Sequence, residues 1–226
     1  MSKHIAVAVP AYSWSVSLAT MRSLLWDCKI LWERGDQITF IDECGSTDLT
    51  VAKAMMIAKF LESGADYLMH VDADVGWEPG AMVRLIDKPV DFVGGVYPKR
   101  TDPVQWPVGY LKDCDELRGD PEHGLLEVSV IPGGFMRFTQ ECVLQMCEAY
   151  RDLEYTSSRH PAGKLPGFFE HMYLDGGVRI RDDVAFCHRW RKIGGKVWTD
   201  PDIHMVHVGP KAFEGSLGDW LKDRDT

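Results

Sequence analysis

The sequence predicts an α/β fold: one domain whose mostly parallel central sheet is flanked by helices. Two observations carry this. Through the first hundred residues, short apolar runs alternate with segments whose apolar residues recur at helical spacing, and glycine or proline marks the joins. Alternation of that kind implies parallel strands with helices packed on both faces. At 226 residues, with 45% hydrophobic and 26% charged residues, the chain is also long enough to bury a full core without disulfides or a structural metal.

The elements follow in order. Ile5–Val9 is a buried first strand that gives way to a loop at Pro10. Ser15 to Arg34 places Val16, Ala19, Leu24, Ile30 and Leu31 at helical spacing, and Gly35 stops the helix. Residues 37–41 form a second strand. In the turn that follows, Ser46 or Thr47 is placed to cap a helix over Leu49–Ser63, which ends at Gly64. Tyr67–Val71 is a third strand, ending in Asp72-Ala73-Asp74. Pro79 opens a further helix at its first turn, and residues 90–93 are a fourth strand.

The second half is less regular. Residues 109–120 are polar and turn-rich. Residues 125–131 form a strand that Pro132-Gly133-Gly134 interrupts and Phe135–Phe138 continues. Thr139 to Leu153 is helical. Residues 156–177, rich in glycine, proline, histidine and aromatics, lack periodicity and read as a long loop, a feature often functional. Residues 182–193 are a helix ended by Gly194-Gly195, and residues 196–199 and 203–208 are the last strands.

Charge excludes some functions. Lys plus Arg is 25 against 34 Asp plus Glu, a net charge of −9, which argues against nucleic-acid binding through bulk charge. It leaves room for a small anion held by a metal. No apolar run approaches the ~20 residues of a membrane span, and Met1–His4 leads into the first strand without a signal-peptide core. Cys28, Cys44, Cys114, Cys142, Cys147 and Cys187 contain no Cys-x-x-Cys pair. They read as thiols of a reducing cytoplasm.

Asp72-Ala73-Asp74 is the sharpest motif. Two carboxylates at a strand end can project into the crevice where open α/β sheets bind ligands, and hard cations such as Mg or Mn take oxygen ligands and bridge to phosphates. A solvated turn is the bland alternative, which the quality of the preceding strand disfavours. Asp182 and Asp183 open a helix. There they serve either as caps favoured by the helix dipole or as a general base. His204 and His207 lie on opposite faces of the last strand, and His207, at its end, reads as a metal ligand or as a satisfied core residue.

Taken in order along the chain, these pieces resemble small GT-A fold glycosyltransferases of the family 2-like kind, found in bacteria, phages and large viruses. The resemblance rests on Val9-Pro10-Ala11-Tyr12, on residues 67–74, on Val93–Lys99, on Ile131–Met136, on Asp182–Cys187 with Gly194–Trp198, and on Met205–Gly209. It covers nearly the whole chain. It implies a single nucleotide-diphospho-sugar transferase-like domain over 1–226, with a nucleotide or donor half at 1–100, an acceptor half at 101–209 and a C-terminal loop or helix at 210–226.

What the resemblance implies can be set out residue by residue. Pro10, Ala11 and Tyr12 hold the nucleotide base of a UDP- or GDP-sugar donor. Asp72, with Ala73 beside it, faces the ribose or the metal. Asp74 and His207 ligate Mn or Mg on the diphosphate. Asp183, or its neighbour Asp182, is the general base that takes a proton from the hydroxyl of a glycan or other acceptor in an inverting transfer. Gly133 and Gly134 form a turn that admits substrate to the backbone. Lys211, just past His207, is a candidate cation over the phosphates, although a lysine so placed is more often simply solvated. The cytoplasm expected is the host's if the source is a phage or virus. Trp106, Phe168, Phe169 and Tyr173 are candidate platforms for an acceptor sugar, though each is more often a core residue. One departure stands out: the Ala-Arg-Asn triplet expected in the second helix reads Ala52-Lys53-Ala54.

Three rival readings remain, the lowest a degenerate transferase that binds donor without transferring it. Sugar-phosphate nucleotidyltransferases need a glycine-rich basic loop after the first strand, and Pro10–Ser15 has neither glycine nor a basic residue. A non-enzymatic carbohydrate- or calcium-binding module would use the same acidic turns structurally.

Overall fold

The computed structural model of the protein describes residues 2–111 and 118–224. Cys114, and part of the polar stretch 109–120, lie outside the described residues. In chain order the strands are β1 His4–Ala11, β2 Gln37–Cys44, β3 Tyr67–Val71, β4 Val75–Trp77, β5 Phe92–Gly94, β6 Arg118–Asp120, β7 Leu125–Val128, β8 Phe135–Thr139, β9 Tyr155–Ser157, β10 His160–Leu165, β11 Met172–Leu174, β12 Val178–Ile180, β13 Val197–Thr199, β14 Met205–Val208 and β15 Ala212–Gly215. The helices are α1 Leu18–Glu33, α2 Leu49–Ser63, α3 Ala81–Asp87, α4 Gln140–Ala149, α5 Asp182–Lys192 and α6 Leu217–Arg224.

An eight-stranded sheet runs in the order β2-β1-β3-β8-β5-β13-β7-β6. β1 pairs in parallel with β2 and β3, and β13 in parallel with β5. β8 runs antiparallel to β3 and β5, and β7 antiparallel to β13 and β6. Most strands therefore point one way, with β7 and β8 reversed. β8 does not continue the strand before the Pro132-Gly133-Gly134 turn, as the sequence suggested. It crosses the sheet and inserts between β3 and β5, where Phe138 and Met136 pair with Leu68 and His70. That long-range pairing sets the Gly133–Gly134 turn against the end of β3.

The core has two sides. One gathers Met56, Ile57 and Phe60 of α2 with Phe92, Phe138 and Phe186, whose rings meet at centroid distances of 4.8 to 5.1 Å. The other gathers Cys28 and Leu31 of α1 with Met82 and Leu85 of α3 and with Met69 and Phe135 of the sheet. Phe168 and Phe169 belong to the first cluster and are buried, so they are core side chains and not acceptor platforms. Trp106 packs partly buried against the same cluster, whereas Tyr173 is exposed on β11.

α2 forms where its pattern places it. Gly64, in the left-handed region at φ 66, closes it at no steric cost. Its cap is Asp48, whose carboxylate accepts from the Thr50 and Val51 N–H groups, in place of Ser46 or Thr47. α3 starts after Gly80, two residues beyond Pro79. Residues 156–177, read as a loop, fold largely into short hairpins, β9 with β10 and β11 with β12. β14 pairs with β4 and β15 in a separate three-stranded sheet. No helix among the described residues is long and apolar enough to cross a membrane.

α1 departs most from expectation. Its buried stripe is Thr20, Ser23, Asp27, Cys28 and Leu31, while Val16 lies ahead of the helix and is exposed. Leu18, Met21, Leu25, Trp26 and Trp32 face outward. The buried polar groups are bonded rather than stranded. Ser23 Oγ donates to Trp77 O at 2.7 Å and accepts from Trp77 N–H at 2.9 Å. Asp27 accepts from Trp77 Nε1, Gly80 N–H and Met82 N–H. α1 therefore fastens β4 and the start of α3 through polar contacts. Asp27→Ala leaves those three donors unsatisfied in the interior. We expect a loss of roughly 3–5 kcal/mol, measured by urea denaturation, since each buried orphan costs about 1–3 kcal/mol. A loss below about 1 kcal/mol would show that the anchor is dispensable.

Candidate active site

The carboxyl ends of β1 and β3 open onto a cavity of about 460 Å³, within the range of small-molecule sites. Pro10, Tyr12, Ser17, Glu43 and Asp72–Asp74 are among its lining residues. Ala11 is buried and shapes the loop instead: its carbonyl accepts from Trp14 N–H at 3.0 Å and Gly45 N–H at 3.3 Å. Trp14 sits in the left-handed region at φ 58, uncommon for a residue with a Cβ, with its indole lying over Gly45.

The acidic turn is held by its backbone. Asp72 N–H donates to Gly134 O at 2.9 Å. Ala73 O accepts from Ser17 N–H at 2.7 Å and from Thr20 Oγ1 at 3.1 Å. Asp74 O accepts from Val208 N–H at 2.8 Å. Three distant segments thus fix three consecutive residues, all of which line the cavity.

Asp74 lies beside His207. In the β4–β14 ladder His207 stands opposite Val75, and its Nε2 is 3.8 Å from Asp74 Oδ1. Its Nδ1 bonds Pro98 O at 2.9 Å, so Nδ1 carries the proton and leaves Nε2 unprotonated in the neutral ring. Burial lowers the His207 pKa, and the nearby Arg100 adds to this, so the ring stays neutral. Two ligands about 2.0–2.2 Å from one ion can be no more than about 4 Å apart, and a metal-bound histidine ordinarily donates its other N–H to a carbonyl. The Asp74–His207 pair fits a divalent cation on both counts. Among the described residues no three His, Cys, Asp or Glu side chains converge as a closed metal site. Asp72 is thus not brought in as a third ligand. Mg-type ions commonly take one or two protein ligands and complete their shell with phosphate and water. Arg100 donates to Asp74 Oδ2, and Lys211 pairs with Asp102 at 2.6 Å rather than facing the acidic turn.

Beneath the turn lies a second charged group. Lys53 is almost wholly buried, and its Nζ donates to Asp182 Oδ2 at 2.6 Å. Burial pushes Asp182 toward protonation, but the Lys53 charge and hydrogen bond outweigh it and hold the carboxyl below its usual range. Asp183 turns the other way. Its Oδ2 accepts from Gly133 N–H at 3.1 Å and its Oδ1 from Val184 N–H at 2.8 Å. Burial raises Asp72 to about 6, with Lys53 opposing and the neighbouring carboxylates adding to the rise. His70 is driven down to about 3, chiefly by burial and then by Lys53, so it is neutral, and its Nδ1 donates to Gly133 O at 2.5 Å.

The structure therefore brings Pro10, Tyr12, Asp72, Ala73 and Asp74 to one cavity, with His207 beside Asp74 and Asp183 beneath Gly133. It draws Asp182 to Lys53 and keeps Ala11 and Lys211 off the cavity lining. Lys53, Tyr97 and Arg100 were not anticipated. Only the departure at Ala52-Lys53-Ala54 carried a signal for one of them.

In sequence, no family model matches the chain, and no curated protein matches it. In structure, it is similar to A197 from STIV with a TM-score of 0.57 and 16% identity, over 95% of this chain and 91% of that one. It is also similar to GalNAc-T7, solved with UDP, GalNAc and Mn2+, with a TM-score of 0.52 and 11% identity, over 93% of this chain but only 44% of that one. These likenesses show the fold: a GT-A-like α/β domain whose large central sheet is flanked by helices.

Gly134 is the tightest point of the site. A Cβ there would lie 2.6 Å from Asp72 Oδ2 and 2.7 Å from the Tyr97 hydroxyl, which accepts the Gly134 N–H at 3.1 Å. Gly134→Ala should cost about 1–3 kcal/mol, the usual range for overpacking. Gly119→Ala, whose nearest neighbours among the described residues are 3.8 Å away, should be near neutral. Equal melting temperatures for the two variants would contradict the close fit.

Proposed function

We propose that the chain is a metal-dependent glycosyltransferase, GT-A and family 2-like in kind, that moves a sugar from a UDP- or GDP-sugar to an acceptor hydroxyl with inversion. The observation that carries this reading is the cavity at the ends of β1 and β3, with Asp72–Asp74 on its wall and the neutral His207 Nε2 3.8 Å from Asp74. GalNAc-T7, which shares the fold, was solved with UDP and Mn2+, in keeping with that chemistry. On this reading 1–100 is the donor half, 101–209 the acceptor half and 210–226 a C-terminal loop and helix. The small viral type remains part of the proposal.

Pro10 and Tyr12 would bracket the nucleotide base where β1 ends. Asp74 and His207 would hold Mn2+ or Mg2+, and when bound the ion supplies Lewis-acid stabilisation of the charge that grows on the departing diphosphate. Asp72, raised toward neutrality by burial, would face the ribose as hydrogen-bond partner.

Asp183 is the base of choice within the acidic pair. Asp182 is committed to Lys53, so its lone pairs are engaged and its proton affinity is depressed. Among the described residues Asp183 is bonded by backbone N–H groups alone, from Gly133 and its own helix start, which orient the carboxylate without an ion pair. The Gly133–Gly134 turn itself is buried, so an acceptor hydroxyl would meet Asp183 beside it and deliver its proton there.

The experiment is a screen of nucleotide sugars with Mn2+, reading transfer or hydrolysis, on the wild type and on two variants. Asp183→Asn should lower the rate by ~10²–10⁴ with donor affinity retained, the usual effect of removing a general base. Asp182→Asn should act mainly on stability, because it strips the partner from a buried lysine. If Asp182→Asn abolishes transfer and Asp183→Asn does not, the roles are exchanged. Wild-type rates in both would exclude an inverting base in this pair. Stabilisation by calcium alone, with no nucleotide effect, would favour the non-enzymatic module.

A further inference from the structure

We propose that Arg100 is an internal cation that occupies Asp74 until a divalent ion displaces it, so that Arg100 sets the affinity of the site for metal. The inference rests on the glycosyltransferase reading above and deepens it. Asp74 has two carboxylate oxygens, and both are covered: Oδ2 accepts from the Arg100 guanidinium, and Oδ1 faces His207 Nε2. A metal ion that binds Asp74 and His207 needs the same carboxylate. A guanidinium and a divalent cation cannot share it without strong like-charge repulsion at this range. One must leave.

The seat of Arg100 is built by the strand that carries His207. Just past that strand, a Cβ on Gly209 would lie 2.8 Å from Arg100 Cδ and 3.2 Å from its Nε, so only glycine lets the arginine stem lie there. The neighbouring backbone is fixed independently, Val208 N–H donating to Asp74 O and Gly209 N–H to Lys211 O. Arg100 itself is partly exposed, so it can swing away without opening the core. Once released, the guanidinium is free to pair with a diphosphate, for which a planar two-pronged donor is well suited. Cation and nucleotide then bind cooperatively, and by linkage each favours the other.

The test is a titration of Mn2+ followed by electron paramagnetic resonance of the free ion, with and without UDP, on the wild type, Arg100→Ala and Gly209→Ala. Arg100→Ala should bind Mn2+ alone more tightly, by up to about five-fold, the scale set by loss of one partly exposed ion pair. Its further gain on adding UDP should be smaller than that of the wild type. Gly209→Ala, by pushing the arginine stem aside, should shift Mn2+ affinity in the same direction; a gain confined to Arg100→Ala still supports the competition and removes Gly209 from it. Unchanged or weaker Mn2+ binding by Arg100→Ala, in a wild type that binds Mn2+ with UDP, overturns this inference and leaves the parent reading intact. If no protein binds Mn2+ even with UDP, the metal-dependent reading falls and this one with it.

Discussion

The whole site depends on how the three-residue turn after β3 is held. A turn of two aspartates around an alanine would be mobile if only solvent met its backbone. Here the N–H of Asp72 and the carbonyls of Ala73 and Asp74 are engaged by the β8 turn, by α1 and by β14 respectively. Each contact spans a long stretch of sequence, so the turn becomes rigid only when the sheet, the first helix and the C-terminal strand are all in place. That ties ligand-binding geometry to the complete fold. It also explains why α1 buries threonine, serine and aspartate: its inner face is a clamp on the turn and on β4 more than an apolar seal.

With the turn fixed, the charges around it divide into two tasks. On the outer side Asp74, His207 and Arg100 form a partly exposed group at the surface of the acidic turn. On the inner side Lys53 is buried with Asp182 under the glycine turn, and this pair cannot part without leaving a charge unpaired in the interior. Asp183 lies against Gly133 and, among the described residues, is bonded by backbone N–H groups alone. A single buried lysine thereby distinguishes two adjacent carboxylates that look equivalent in sequence.

Much of this was legible in the residues, for physical reasons that can be named. β3 and α2 fall where the pattern places them, because an apolar run at a strand end and a glycine after a helix act locally. The acidic turn was visible for the same reason, since strand ends can be read from periodicity, whereas periodicity left His207 open and only the family resemblance set it beside that turn. What escaped was non-local. The place of β8 between β3 and β5 is decided by pairing across the sheet, and nothing in residues 125–138 encodes it. The inward face of α1 was misread because hydrophobicity was taken as the guide, whereas Thr20, Ser23 and Asp27 are buried by virtue of their hydrogen bonds. The hairpins of 155–180 lack alternation because their strands are short and largely exposed on both faces. Arg100 left no local mark, since its partner is 26 positions away in the chain.

The central claim is that Asp74 and His207 bind a nucleoside diphosphate through a divalent cation. Calorimetric titration of UDP and GDP in the presence of Mn2+ tests it most directly, comparing the wild type with Asp74→Ala, His207→Ala and His204→Ala. His204 faces a different cavity, lined by Trp26, Trp77 and Glu214, and serves as the control. The account predicts that the first two variants lose Mn2+-dependent nucleotide binding by more than the ~10–100-fold typical of residues behind a metal ligand, while His204→Ala keeps wild-type affinity. Unaltered affinity in Asp74→Ala, or a larger loss in His204→Ala than in His207→Ala, would contradict it.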